Sequence, residues 1–283
     1  MKTSKLQFVK SLKGDSASGI SVSLYKDENN NYYVVKTWQN KYINLAYLNL
    51  LNEINSLKDL NNLKLNVPKI VEVNRGINRL SLITAYIDGR TLDKIKPYST
   101  QLKIYNRLVN ELRDNSGSFP NRHIRTKTVA YYLTLLPIIW IKAIFQNIGQ
   151  LALLLKILPI YIHCSTSNIG NNNLDIVHGD LNFKNIIIKN KKTYIIDCEQ
   201  TCLTYPEFET VSSLMVYHSP AKFKQSLKDQ ILIMSQSGTI QRYRLVFALL
   251  NCSLHNLTWY APRKYVEWYF KLLHFAIKLY EKP

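Results

Sequence analysis

A chain of 283 residues is long enough for one large domain or two smaller ones that share a core. Hydrophobic residues make up 46% and charged residues 20%, which excludes a mostly disordered chain. Lysine and arginine number 37 against 19 acidic residues, a formal net charge of +18, so the expected partners are anionic: phosphate, nucleic acid or an acidic membrane surface. Four cysteines make no disulfide scaffold. Cys198 and Cys202 have no second pair at metal-binding spacing, so no zinc site is expected and the thiols read as reduced. Residues Met1 to Lys13 hold no apolar run of signal-peptide length, and the expected location is cytoplasmic.

Residues 20–26 alternate apolar and polar side chains at the strand period. A polar turn follows at 27–31, and the aromatic, β-branched run Tyr32 to Trp38 completes a hairpin. Residues 43–60 read as a helix, with Ala46, Leu50, Leu57 and Leu60 on one stripe. Glu53 shares that stripe, and a buried carboxylate without a partner costs several kcal/mol. Two further strands are predicted at Val67 to Val73 and Arg79 to Tyr86, then a turn at 87–90. Residues 91–163 read as helical. Short strands return at Ile186 to Ile188 and Tyr194 to Ile196, joined by a turn at 189–192, and the chain is helical beyond Pro206. This order predicts an α+β chain of two unequal lobes, 1–87 and 88–283.

The most informative stretch is His178-Gly179-Asp180-Leu181-Asn182-Phe183-Lys184-Asn185, followed by Ile195-Ile196-Asp197. The strand pair between them folds back as a hairpin and brings Asp197 toward the loop of Asp180 and Asn185. Oxygen donors from Asn185 and Asp197 suit Mg²⁺, which takes a few protein oxygens and completes its shell with phosphate and water. Asp180 is then left to take a proton from an attacking hydroxyl.

The pattern His-x-Asp-x-x-x-x-Asn, then an apolar strand ending in Asp, resembles the catalytic and metal-binding loops of the protein-kinase-like fold. The variant His-Gly-Asp-Leu with Ile-Ile-Asp-x-Glu is similar to the aminoglycoside phosphotransferase and choline kinase branch, and to the bacterial lipopolysaccharide core kinases. It departs from protein kinases, which carry Lys where this chain has Asn182 and Asp-Phe-Gly where it has Asp197-Cys198-Glu199. The resemblance covers about residues 13–210 and implies a small antiparallel-sheet N-lobe and a mainly helical C-lobe. It implies ATP and Mg²⁺ as cofactors. Lys36 would contact the non-transferred phosphates and Glu53 would orient it. Ser16 and Ser18 would lie in the phosphate-covering loop, which keeps only Gly14 and Gly19 of the usual glycines. Ala85 and Ile87 would offer backbone groups to adenine. Asp180 would be the catalytic base, and Asn185 and Asp197 the metal ligands.

Taken singly, each residue has a plainer reading: Lys36 as an exposed strand lysine, Glu53 as a surface charge on a rotated helix, Asp180 and Asn185 as turn formers. His178 reads as a structural hydrogen-bonding residue. Glu199 stays open between a group near the metal and a local cap.

Between Asp114 and Asp175 there is no acidic residue, and the interval holds two apolar runs, Val129 to Phe145 and Leu151 to Ile162. A spanning helix needs about 20 apolar residues. Pro137, Lys142 and Lys156 interrupt these runs, so no span is expected, and the runs read as core helices or as an apolar surface on an anionic leaflet. The sequence thus points to a kinase with a hydroxyl acceptor: a sugar or other polar alcohol, on a membrane-associated glycan such as lipopolysaccharide core. A soluble aminoglycoside- or choline-like acceptor, and a pseudokinase that binds without transfer, are the alternatives. No nucleic-acid partner is expected, because no recognition motif accompanies the charge.

Overall fold

The computed structural model of the chain describes residues 6–13, 19–40, 42–118, 124–170, 173–216, 219–259 and 265–282. The chain forms two compact units. Unit 1 comprises Met1–Glu111, Gly117–Arg125 and Phe183–Cys202; unit 2 comprises Leu112–Ser116, Thr126–Asn182 and Leu203–Pro283.

In unit 1, β1 (Gln7–Lys13), β2 (Ile20–Lys26), β3 (Tyr32–Gln39), β4 (Ile70–Gly76) and β5 (Arg79–Ala85) form an antiparallel sheet of order β1-β2-β3-β5-β4. The β2–β3 turn is held by the Asp27 carboxylate, which accepts the backbone N–H groups of Asn29 at 2.9 Å and Asn31 at 2.8 Å. The predicted strand at 67–73 starts later, at Ile70. Pro68 has no N–H to give a ladder, which keeps its segment outside the sheet. Strand β1 was not foreseen: Phe8, Val9 and Leu12 are all exposed on this edge strand, so no buried face stamps a period of two on the sequence.

Helix α1 (Leu45–Asn62) follows β3, capped by the Asn44 side chain, which accepts from the Tyr47 N–H. Leu50, Ile54, Leu57 and Leu60 are fully buried on its core face. Two-residue strand β6 (Arg90–Thr91) pairs with β9 (Ile186–Lys189), which pairs with β10 (Lys192–Ile195). Asn190 and Lys191 both have positive φ, the geometry that closes a two-residue hairpin in register with strand twist. Helix α2 (Tyr98–Asp114) begins only after a 3₁₀ turn at Leu92–Lys94.

After β7 (Arg125–Thr126) come the long helices of unit 2: α3 (Val129–Gln146) and α4 (Leu151–Thr166), then, beyond β8 (Asp175–Val177) and β11 (Cys202–Thr204), α5 (Glu207–Met215), α6 (Ala221–Ser235), α7 (Thr239–Trp259) and α8 (Val266–Tyr280). Helix α7 is the axis: α3, α4, α5, α6 and α8 all pack on it. Tyr132, Phe208 and Phe247 form an aromatic core, Tyr132 and Phe208 stacked at 5.1 Å and Phe247 edge-on to both. Pro137 and Pro159 lie inside α3 and α4, which continue through them in keeping with the helical reading of 91–163. By length and composition both helical segments could cross a membrane, and only 28% and 33% of their apolar windows are buried inside the molecule.

Candidate active site

Strand β3 delivers Lys36 and helix α1 delivers Glu53 to one cavity of about 300 Å³ in unit 1, a volume at the lower end for small-ligand sites. Its walls are apolar, including Val22, Val34, Ala85, Ile87, Ile187 and Ile196, and its charged groups are Lys36, Glu53, Asp197 and Glu199. The Lys36 ammonium donates to both Glu53 oxygens at 2.8 Å and to Asp197 Oδ1 at 2.7 Å. Burial opposes the ammonium charge, but Glu53 and Asp197 outweigh it and hold Lys36 protonated, above its ordinary pKa. Glu53 is only 3% exposed, so α1 is not rotated to put this charge in water. The carboxylate on the apolar stripe is there because Lys36 meets it.

Asp197 sits at the exit of β10 with φ 63°, a left-handed conformation that Asp adopts more readily than most residues. Its side chain is 33% exposed, open toward the cavity it lines. The β9–β10 register pairs Ile186 with Ile195, and the next step is a hydrogen bond from the Ile196 N–H to the Asn185 carbonyl at 2.9 Å. Asn185 and Asp197 therefore flank the same end of the hairpin. The donor set, one amide oxygen and one carboxylate, fits a hard divalent cation that keeps phosphate and water as its other ligands. Asn52 of α1 holds the segment after Asp197, donating to the Glu199 and Thr201 carbonyls at 2.9 Å each. Arg125 also donates to the Glu199 carbonyl, at 2.7 Å.

In unit 2, His178 to Asn182 form a tight loop. Gly179 has φ 79°, a region open to glycine at no steric cost. The Asp180 N–H donates to His178 Nδ1 at 3.3 Å, and Asn182 donates from its side chain to Asp180 Oδ1 at 3.2 Å and from its backbone to the Asp180 carbonyl at 2.9 Å. His178 is fully buried, in keeping with a structural role. The loop is anchored from α5. The Ser213 hydroxyl donates to the Leu181 carbonyl at 2.9 Å, and the Glu209 carboxylate accepts the His178 N–H. Burial pushes the Glu209 pKa up to about 7, against the pull of the His178, Gly179 and Leu181 amides.

Lys36, Glu53, Asp197, Ala85 and Ile87 thus share one cavity, and Asn185 is tied to it through the hairpin. Asp180 belongs to the second unit, in the loop that the motif marks. Ser16 and Ser18 lie outside the described residues. Sequence reasoning missed Asn52 and Glu209. Asn52 stands beside Glu53, and only the helix phase shows that both are buried. Glu209 stands in the first turn of a helix, where an acid passes for a dipole partner.

An ammonium gripped by two carboxylates at the base of an apolar cavity suits a ligand with both a flat apolar part and a polyphosphate, and the fold around it is the protein-kinase-like α+β fold. The family model described as the phosphotransferase enzyme family, APH, matches residues 17–245, and the chain belongs to that family. It is a kinase acting on hydroxyl groups. Among solved structures, a choline kinase from Cryptosporidium parvum Iowa II aligns with TM-score 0.60 and 12% identity over 99% of this chain and 90% of that one. An aminoglycoside-3'-phosphotransferase of type VIII aligns with TM-score 0.58 and 16% identity over 89% and 94%. The aminoglycoside phosphotransferase APH(3'')-Id from Streptomyces rimosus aligns with TM-score 0.55 and 15% identity over 90% and 93%. At these identities the likeness is one of fold. No curated protein matches the chain in sequence.

Proposed function

We propose that the chain transfers the γ-phosphate of ATP to a hydroxyl of a sugar or other polar alcohol carried on a membrane-associated glycan, such as lipopolysaccharide core, from the cytoplasmic face of the membrane. The observation that carries the kinase chemistry is the Lys36–Glu53–Asp197 cluster in the unit 1 cavity. Ala85 and Ile87 line the apolar end and offer backbone groups to adenine. Glu53 fixes Lys36, and Lys36 holds the non-transferred phosphates. Asn185 and Asp197 hold Mg²⁺, which when bound supplies neutralisation of phosphate charge. Asp180 takes the proton of the acceptor hydroxyl as its oxygen bonds to the γ-phosphorus. The bond to the bridging oxygen breaks and ADP leaves. Because this transition state is loose, positioning and charge neutralisation supply most of the rate.

The acid-free interval with its two apolar helices favours a membrane-associated acceptor. The structural neighbours named for aminoglycosides and choline favour the second reading, a soluble small-molecule acceptor. The test is transfer of labelled γ-phosphate from Mg²⁺-ATP to a panel of acceptors: lipopolysaccharide core oligosaccharide, an aminoglycoside and choline. Label on the oligosaccharide supports the first reading, and label on either small molecule supports the second. ATP bound with no turnover on any acceptor makes the chain a pseudokinase.

A further inference from the structure

Helices α3 and α4 of unit 2 touch each other and are joined by a single 3₁₀ turn, Ile148–Gln150. Each commits one side to the core. Tyr132, Ile139, Trp140 and Ala143 of α3 are buried, as are Leu154, Ile157, Tyr161 and Cys164 of α4. The opposite sides should then be polar, as on a surface helix of a globular protein. They are not. Along α3, Tyr131, Ile138, Ile141 and Phe145 recur at intervals of seven, three and four and are all exposed. Along α4, Ala152, Leu155, Pro159 and Ile162 recur at intervals of three, four and three and are exposed as well. The two stripes meet at the connecting turn, where exposure peaks at 82% for Phe145 and 65% for Ile148.

The occupant of this face follows from its charge and its shape. Lys142 and Lys156 stand on the two helices beside the stripes, and no carboxylate lies anywhere between residues 115 and 174. Among the described residues, Glu281 brings an acid to the face, where it pairs with Lys156 at 3.0 Å. At the far end of α4, His163, Tyr243 and Tyr280 cluster, with Arg242 over the Tyr243 ring at 5.9 Å. Aromatic rings with polar tips and cations around an apolar ridge are the furnishing of a helix that lies in a lipid interface. Spanning is excluded by the packing. An 18-residue helix reaches about 27 Å, close to a hydrocarbon core, but crossing would strip α3 and α4 from α7 and the aromatic cluster.

We propose that the α3–α4 ridge, led by Phe145 and Ile148 at its tip, is a docking surface for an anionic lipid bilayer. The inference rests on the proposed membrane-associated acceptor and names the part of the chain that reaches it. Insertion is shallow: the apolar stripe enters the headgroup boundary while Lys142 stays at the level of the phosphates, Lys156 being paired with Glu281. Arg125 takes no part, because its guanidinium is spent on the Glu199 carbonyl.

The test is co-sedimentation of the full chain with vesicles of phosphatidylglycerol and phosphatidylcholine, beside vesicles of phosphatidylcholine alone. The wild type is expected to bind the anionic vesicles at least about tenfold more tightly, and added salt is expected to weaken that binding without abolishing it. The double variant F145S/I148S loses about tenfold or more while its far-UV circular dichroism and Mg²⁺-ATP turnover stay at wild-type level. K142Q lowers anionic binding and leaves neutral binding unchanged. A wild type that stays in the supernatant at low salt overturns the proposal. So does a wild-type dimer that F145S/I148S converts to monomer, since the face is then a contact between copies. Turnover is read separately: vesicle binding without phosphate transfer to any acceptor leaves the surface standing and removes the kinase reading.

Discussion

Lys36 gathers three carboxylate oxygens within 2.8 Å, whereas Asp180 is steered by hydrogen bonds from its own loop. The two residues therefore fail differently when changed. Asp180→Ala is expected to lower kcat by about 10²–10⁴, the usual share of a general base, and to leave ATP affinity near wild type. Steady-state kinetics with calorimetric ATP titration reads both. Near-normal turnover would remove Asp180 from the mechanism. Glu209, which braces the same loop, gives a pH signature. Its folded pKa is about 7 against an ordinary 4.5, so the folded chain binds the proton more tightly than the unfolded one. The sign follows: its stabilising contribution is full below about pH 4.5, declines as the pH rises, and is gone above about 7. At 1.36 kcal/mol per pH unit that is about 3 kcal/mol at most across the window. Burial also pushes Glu53 up, against the pull of Lys36, so Glu209→Gln should shallow the slope of stability against pH rather than flatten it. Chemical denaturation at pH 5, 6 and 7 measures this, and an unchanged slope would mean that Glu209 stays charged throughout.

At the scale of elements, the site depends on how closely the segment after β5 crosses the β9–β10 hairpin. A Cβ on Gly89 would stand 2.5 Å from Ile187 Cγ2 and 2.6 Å from the Ile188 carbonyl oxygen. Backbone cannot yield as a side-chain tip can, so Gly89→Ala should cost about 1–3 kcal/mol by overpacking. Ile187 also lines the cavity, so ATP affinity should fall with stability. Urea midpoints and ATP titration of the same variant check both, and a variant of wild-type stability would show that the crossing has room. Much at this scale was legible in the sequence. The hairpin over 20–39 announced itself because one face alternates toward a core and an Asx-type turn joins the strands. Helix α1 carried both its apolar stripe and the misplaced acid that marked the ion pair. The edge strand β1 was not legible, since neither of its faces is buried. The start of α2 was not either, because the 3₁₀ turn at Leu92–Lys94 buries Leu92 and reads as helix.

For the whole molecule, ligand linkage offers the sharpest test. The His-Gly-Asp and Ile-Ile-Asp segments reveal the fold class because their spacing is fixed by chemistry, whereas the members of the cavity are scattered from β1 to the segment after β10 and only the fold assembles them. That cavity lies within unit 1, so Mg²⁺-ATP should stabilise that unit by mass action. At a free concentration of 100 times Kd the gain is about 2.7 kcal/mol. For a unit the size of unit 1 this corresponds to a rise in Tm of roughly 5–10 °C. Asp197→Asn keeps the side-chain shape but removes a charge that Lys36 and a metal would both use. The shift should then fall to a few degrees at the same ligand concentration, and EDTA should reduce the wild-type shift in the same way. Asp180→Ala should keep the full shift, because the role proposed for its carboxylate is toward the acceptor rather than ATP. Differential scanning calorimetry of the full chain with and without Mg²⁺-ATP measures all three, and where two transitions are resolved only one should move. An equal shift in Asp197→Asn and wild type would place the metal on other residues, and loss of the shift in Asp180→Ala would make Asp180 part of the ATP site instead of the base.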